Sequence, residues 1–182
     1  MDLFQILTEL EDNEDVHLGR LLILIYEFSK RAKSKEVEGL TKLAKLDFLL
    51  RYPKYLERAL LARKASIKNL KIKEYEKLSV ESKMVRYKYG PWDFRYRKFI
   101  NILIAKGLVY YRQEGKTIKI GITEKGKIIG ESLSNELAYT DVQERAKLIK
   151  TNFDLGATKL MRFIYDTFPE IGSLSMGTEI TN

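Results

Sequence analysis

The chain has 182 residues, 45% hydrophobic and 32% charged, ordinary values for a folded domain with a core of its own, which excludes wholesale disorder. Lys and Arg number 33 against 25 Asp and Glu, and the resulting net charge of +8 suits an acidic partner such as nucleic acid without requiring one. With no cysteine and a single histidine, disulfide frameworks, Cys-rich zinc sites, cysteine nucleophiles and multi-histidine metal sites are excluded.

The first fifteen residues hold six carboxylates (Asp2, Glu9, Glu11, Asp12, Glu14 and Asp15) and no Lys or Arg, so the rest of the chain carries +14. Residues 1–15 are expected to form an acidic flexible leader. From His17 to Phe28, Leu18, Leu21, Leu22, Ile25 and Tyr26 recur at helical spacing, with Ile23 and Leu24 adding apolar surface elsewhere, which predicts a central helix. Its longest apolar run, Leu21 to Tyr26, is far below the roughly 20 residues that cross a bilayer, so a soluble cytoplasmic protein with no membrane partner is expected.

Ser29 to Gly39 is polar and reads as a loop. Thr41 to Tyr52 predicts a helix with two apolar stripes, Leu43, Leu46 and Leu50 on one side and Ala44, Phe48 and Tyr52 on the other. One stripe serves one core, so the second must meet another helix or another chain. Pro53 starts a further helix, Lys54 to Lys64. After a Lys-rich, weakly patterned stretch, Met84 to Tyr89 alternates as an edge strand would, and Gly90-Pro91 is expected to turn out of it.

Phe94 to Lys106 predicts a helix that directs Tyr96, Phe99, Ile100 and Leu103 inward. Lys106 to Arg112, a turn containing Gly115, and Thr117 to Ile122 then read as a β-hairpin, and Thr123 is placed to cap the helix Glu124 to Leu133. This helix, hairpin and capped helix resemble the second half of a winged-helix domain, with the hairpin as the wing. Thr140-Asp-Val-Gln143 has the form of a capping box ahead of a helix marked by Val142, Ala146, Ile149 and Phe153. Asp154 is placed to cap a last helix with Leu160, Met161, Phe163, Ile164 and Phe168, which Pro169 stops. The expected class is therefore mostly α with a small β wing (α+β): a winged-helix domain over 16–137, a C-terminal helical hairpin over 138–171 for docking, and a flexible tail over 172–182.

Chemistry-bearing motifs are sparse. Gly115-Lys116-Thr117 echoes the end of a phosphate-binding loop, but the glycine needed five positions earlier is Tyr110. His17 has no metal-binding neighbour and reads as a surface or capping residue, and Glu74 and Glu76 sit in a Lys-rich amphipathic stretch. No catalytic residue, cofactor, metal or small-molecule substrate is assigned, and a non-enzyme is expected. In a winged helix the element before the wing enters the major groove. Here its polar strip is Arg97, Lys98 and Asn101 with Arg95 at the edge, and the wing adds Arg112, Lys116 and Lys119. These residues form the candidate contact with double-stranded DNA, non-specific in kind; the bland alternative is a solvated charged face.

Two runs go further. Thr41-Lys-Leu-Ala-Lys-Leu-Asp-Phe-Leu-Leu-Arg-Tyr-Pro53 with Tyr55-Leu-Glu-Arg-Ala59, and Met84-Val-Arg-Tyr-Lys-Tyr-Gly-Pro-Trp-Asp93 with Arg95-Tyr96, resemble the middle components of ABC-three-component systems. The closing Phe163-Ile-Tyr-Asp-Thr-Phe-Pro-Glu-Ile171 is similar to the end of that family, so the likeness spans about 17–171. What the resemblance implies is a small non-catalytic subunit that works beside an SMC-like ABC ATPase and a separate effector, often a nuclease, in bacterial anti-phage defence of the Lamassu type. It supplies no catalytic residues. Its matching positions become candidate partner contacts: Ala44, Phe48, Tyr52, Tyr89, Trp92, Asp93, Met161, Phe163 and Phe168. Two alternatives remain. One is a winged-helix DNA-binding transcriptional regulator; the other is a SocA-like antitoxin, since a T-K-L-x-x-L helix followed by Tyr-Gly-Pro also occurs in that family.

Overall fold

A computed structural model describes residues 14–30, 36–78 and 83–181. In chain order the elements are α1 (Glu14–Ser29), β1 (Val37–Glu38), α2 (Gly39–Arg51), α3 (Pro53–Ala62), α4 (Glu74–Leu78), β2 (Val85–Tyr87), β3 (Gly90–Trp92), α5 (Tyr96–Ala105), β4 (Val109–Glu114), β5 (Thr117–Ile122), α6 (Glu124–Ser134), a 3₁₀ turn (Leu137–Tyr139), α7 (Thr140–Phe153), α8 (Ala157–Thr167) and α9 (Pro169–Ser173). The chain is thus mixed α and β, mostly helical, with small antiparallel sheets. Of the expected leader, residues 1–13 lie outside the described residues, while Glu14 and Asp15 open α1.

Because α1 is apolar nearly all round, it can only sit in the middle of other elements. Every residue from His17 to Phe28 is buried, and the helix packs against α5, α6, α7 and β5. His17, expected at the surface, is therefore an interior residue. Its ring stacks on Phe99 with centroids 5.4 Å apart, and its Nδ1 lies 3.0 Å from the Arg20 guanidinium.

The loop expected over Ser29 to Gly39 ends in a strand. Val37 and Glu38 pair with Ile120 and Lys119 of β5, whose other edge takes β4 from Val109 opposite Ile122 to Glu114 opposite Thr117. The sheet order is β1-β5-β4. Gly115 takes the first central position of the two-residue turn between β4 and β5 at φ 59, the left-handed conformation that a type II′ hairpin turn demands there. Thr123 caps α6 as expected, its hydroxyl accepting from the Gly126 N–H at 2.9 Å.

Helix α2 is buried from Lys42 to Arg51, so both of its apolar stripes are used within the chain. On the second stripe Phe48 meets Tyr55 of α3 at 5.0 Å between ring centroids and Phe168, beyond α8, at 6.1 Å. Ala44, Phe48, Tyr52 and Phe168 are each fully buried in this core. As partner contacts they are corrected: another helix of the same chain covers the stripe. The C-terminal helices likewise do not form a separate docking arm. α7 packs on α1 and α2, α8 packs on α2 and α3, and Ile149, Phe153, Leu160 and Ile164 join the same core. Neither expected cap appears there. The 3₁₀ turn runs directly into α7 at Thr140 with no side-chain cap, and the Asp154 carboxylate is held by Lys42 and Lys150 instead.

Gly90-Pro91 does not end a lone strand. The turn falls at Lys88-Tyr89, and β3 returns along β2 with Trp92 opposite Val85. The tail expected to be flexible closes the other edge of this hairpin. Arg86 N–H donates to the Thr178 carbonyl, Gly177 N–H to the Arg86 carbonyl and Ile180 N–H to the Met84 carbonyl, all at 2.8 Å. Ile180 is buried, and the Tyr52 hydroxyl donates to its carbonyl at 2.9 Å while accepting from the Met84 N–H at 2.7 Å. Backbone pairing and one anchored apolar side chain order a segment whose composition gives no hint of it.

Candidate functional site

The hairpin β2–β3 is fixed to the helices by a buried chain of alternating charges. Asp47 of α2 accepts from Arg20 Nε of α1 at 2.8 Å, from Arg51 Nε one turn along α2 at 2.8 Å, and from the Tyr96 hydroxyl of α5 at 2.6 Å. The Arg51 guanidinium reaches on to Asp93 Oδ2 at 2.8 Å, and Arg95 grips the same carboxylate with Nε at 3.0 Å and a terminal nitrogen at 2.9 Å. Asp93 directly follows β3. Burial by itself pushes the Asp47 carboxyl up, but Arg20, Arg51 and the Tyr96 hydrogen bond outweigh it and hold the group down to about 2. For Asp93, too, burial is outweighed by Arg95 and Arg51, and the carboxyl stays well below the usual range.

On this base the hairpin presents aromatic surface. Tyr87, Tyr89 and Phe94 are 40%, 46% and 68% exposed, far more than their size and apolarity favour in water. Tyr87 stacks on Trp92 at 5.9 Å and meets Phe94 edge-on at 6.0 Å, and Trp92 abuts Tyr96 at 5.4 Å. A narrow cleft opens between the hairpin and α2, with Tyr87, Tyr89, Pro91 and Trp92 on one side and Thr41 and Lys45 on the other. Gly90 is favoured here by its backbone, since its φ of 121 lies in the left-handed region; a Cβ there would meet Lys45 Cε at an ordinary contact distance of 3.4 Å. Lys45 is only 2% exposed, and burial pushes its ammonium down to about 8. Its Nζ donates to the Thr41 carbonyl at 3.0 Å, and it forms no ion pair among the described residues.

The predicted partner contacts thus divide. Tyr89 is exposed and Trp92 half-buried at the cleft, whereas Asp93 is buried within the charge network and serves the fold directly. Met161 and Phe163 are half-buried on α8, with Phe163 against Phe153 at 5.4 Å. The predicted DNA contacts divide as well. Arg95 is committed to Asp93, Arg112 to Glu36 at 2.7 Å, Lys119 to Glu38 at 2.7 Å, and Lys98 to Glu14. Those four cations are largely neutralised by the chain's own carboxylates, and this corrects the expectation of an open basic strip and wing. Arg97, Asn101 and Lys116 are exposed, and neither Arg97 nor Lys116 is in an ion pair among the described residues.

Lys45 and Phe94 are not among the residues to which the sequence points, whereas Tyr87 lies among aromatics near basic residues, a pattern that suits base stacking or, more commonly, a core or interface. The one sequence signal for Lys45 is its place within a helix that carries two apolar stripes, which leaves little circumference facing water. Among the described residues there is no cluster of three or more His, Asp and Glu able to hold a metal ion, and no helix is long and apolar enough to cross a membrane. No protein-family model, curated protein or solved structure matches this chain.

Two of the buried charges of α2, Asp47 and Lys45, generate opposite predictions. Asp47→Asn leaves Arg20 and Arg51 facing each other without their shared counter-ion, and should cost about 3–5 kcal/mol in urea unfolding. The folded pKa of Asp47 lies below its ordinary 3.8, so its contribution is present above about pH 4 and is lost as pH falls toward 2. Acid unfolding of the wild type should therefore steepen across that window, and in Asp47→Asn this component should be missing. Lys45→Met, by contrast, should stabilise the fold by about 2 kcal/mol at pH 7, because it removes a buried cation and keeps the stem. The folded pKa of Lys45 lies below its ordinary 10.5, so the unfolded chain holds the extra proton between about 8 and 10.5. Wild-type stability gains from rising pH there, and the advantage of Lys45→Met should shrink from pH 7 to pH 10.

Proposed function

We propose that this chain is a non-catalytic docking subunit of winged-helix type, built to hold larger proteins together, and that its counterparts are an SMC-like ABC ATPase and an effector, a nuclease by the resemblance, in a bacterial anti-phage complex. The winged-helix reading draws support from the order β1-β5-β4 together with α1, α2 and α5, in which the first short strand flanks the second strand of the hairpin. On that reading β2–β3 is an insertion between the second and third helices of the domain.

The observation that carries the docking role is the exposed aromatic set of Tyr87 and Tyr89, on a hairpin locked to the core by Arg51 and Asp93, and Phe94 just beyond it. Tyr and Trp supply large contact area at small entropic cost, and a base that is already rigid avoids the ordering cost that a loop would carry on binding. The same hairpin holds the run Met84 to Asp93, on which the resemblance rests. A second apolar surface, Ile128, Ile129 and Leu137, is exposed on and just after α6. That helix packs on α1, whereas β3 packs on α2, so the two surfaces are borne by different helices, as a bridge requires. Control of the effector would follow from different affinities of this subunit for the resting and activated assemblies. The exposed Arg97, Asn101 and Lys116 would add a weak, sequence-blind contact with DNA.

Co-expression with the ATPase and effector encoded beside it tests this role. The double variant Tyr87→Ser/Tyr89→Ser should keep the wild-type Tm within a few degrees and lose co-purification of at least one partner by tenfold or more. Arg97→Glu should leave the complex intact and lower DNA affinity, with a salt slope reduced by about 1. Failure of the wild type to co-purify with either protein would refute the assembly, and a defined duplex site bound with a specificity ratio of roughly a thousandfold would establish a transcriptional regulator instead.

A further inference from the structure

Among the described residues, Lys45 is the one buried cation of α2 that has no acid beside it. Arg20 and Arg51 share Asp47, Arg51 also holds Asp93, and Lys42 is paired with Asp154 at 3.2 Å. An ammonium has three N–H donors, of which Lys45 places one on the Thr41 carbonyl. Lys45 lines the cleft, its stem runs beneath Gly90, and Tyr87, Tyr89 and Trp92 wall the opening. A buried charge without an acid is a cost to the fold, and a carboxylate entering from outside would remove that cost in a site where water competes little.

The dimensions narrow the class of ligand. The cleft is shallow: much of the 170 Å³ or so counted to its open mouth is solvent, and its base has room for about one water-sized group. One oxygen of a carboxylate fits at such a base. Charge points the same way, since Lys88 lies beside Tyr89 at the rim, with Nζ 5.4 Å from the ring centroid, and would favour an acidic segment over a basic one.

We propose that this cleft captures a glutamate or aspartate side chain from an acidic, apolar-flanked segment of a partner protein, with Lys45 as its counter-ion and the hairpin aromatics as its walls. The proposal rests on the reading of the hairpin as a docking surface and names the chemistry that surface recognises. Lys45 is then a specificity residue: the aromatics supply area, and the ammonium selects an acid.

Trp92 is the sole tryptophan of the chain, so intrinsic emission reports on the cleft directly. The full-length protein is titrated with the peptide Ac-Leu-Glu-Phe-NH2 up to about 20 mM, with Ac-Leu-Gln-Phe-NH2 as its neutral counterpart, and with a twelve-residue oligothymidylate. The expected result is a saturable change with the glutamate peptide, at least tenfold weaker with the glutamine peptide and at least tenfold weaker in Lys45→Met. That variant loses no buried contact of the lysine stem, and its near-UV circular dichroism confirms the fold. Equal responses to both peptides, an unaltered response in Lys45→Met, or no saturable response to the glutamate peptide overturns the proposal. So does a Lys45-dependent response to the oligonucleotide alone, which would assign the cleft to single-stranded nucleic acid. Peptide binding with no co-purification of ATPase or effector would refute the assembly and leave the cleft standing; co-purification with a silent cleft would do the reverse.

Discussion

The carboxylate of Asp47 accepts hydrogen bonds from three helices at once, Arg20 of α1, Arg51 of its own α2 and Tyr96 of α5, and the position of the hairpin follows from how those bonds are shared. Dehydrating a carboxylate is expensive unless its lone pairs are all occupied, and here two guanidiniums and a phenol occupy them. The second guanidinium then has donors to spare for Asp93, and Asp93 closes the return strand of the hairpin. The network adds less to net stability than its short distances suggest, because an apolar replacement of the whole would avoid the dehydration. What it couples is position: α1, α2, α5 and the residue after β3 each bring a group that satisfies a charge on another.

Lys45 and Asp47 stand two positions apart, about 200° around the helix axis, so they face opposite sides of α2. Because the chain covers that helix on all sides, both groups lose water. Their fates then differ. Asp47 meets cations, one from α1 and one from its own helix, and its acid form is suppressed; Lys45 meets a backbone carbonyl, and burial disfavours its charged form. A fold that satisfies four buried charges around the hairpin and leaves a fifth at the base of a cleft breaks its own pattern at one residue, and such breaks are where binding chemistry is to be sought.

The sequence foretold most of what depends on local periodicity. The buried set of α5 is the predicted Tyr96, Phe99, Ile100 and Leu103, the β4–β5 pair turns at Gly115, and Thr123 caps α6. Each of these is written within a dozen neighbouring residues. What was not legible depends on distant partners. β1 is two residues long and exists only because β5 offers an edge; the tail is ordered by an edge of β2 some ninety positions away; and Arg20, Asp47 and Asp93 come together across 27 and 46 positions. The same limit governs the basic surface. Arg112 and Lys119 read as free cations along the chain, but Glu36 and Glu38 reach them from β1 and the residue before it. Ala44, Phe48, Tyr52 and Phe168 show the limit from the apolar side, since periodicity reports that a stripe must be covered and is silent on what covers it.

The central claim is that a buried charge network holds an aromatic hairpin rigid against a core that stands without it. Native-state hydrogen exchange on Asp93→Asn measures this directly, because the substitution keeps the shape of the side chain, removes the charge shared by Arg51 and Arg95 and turns one of the oxygens that accept from them into a donor. The account predicts that protection of the amides in Val85–Tyr87 and Gly90–Trp92 falls at least tenfold relative to the amides of α1. Hairpin amides that stay as protected as in the wild type, or a loss shared equally with α1, would contradict it.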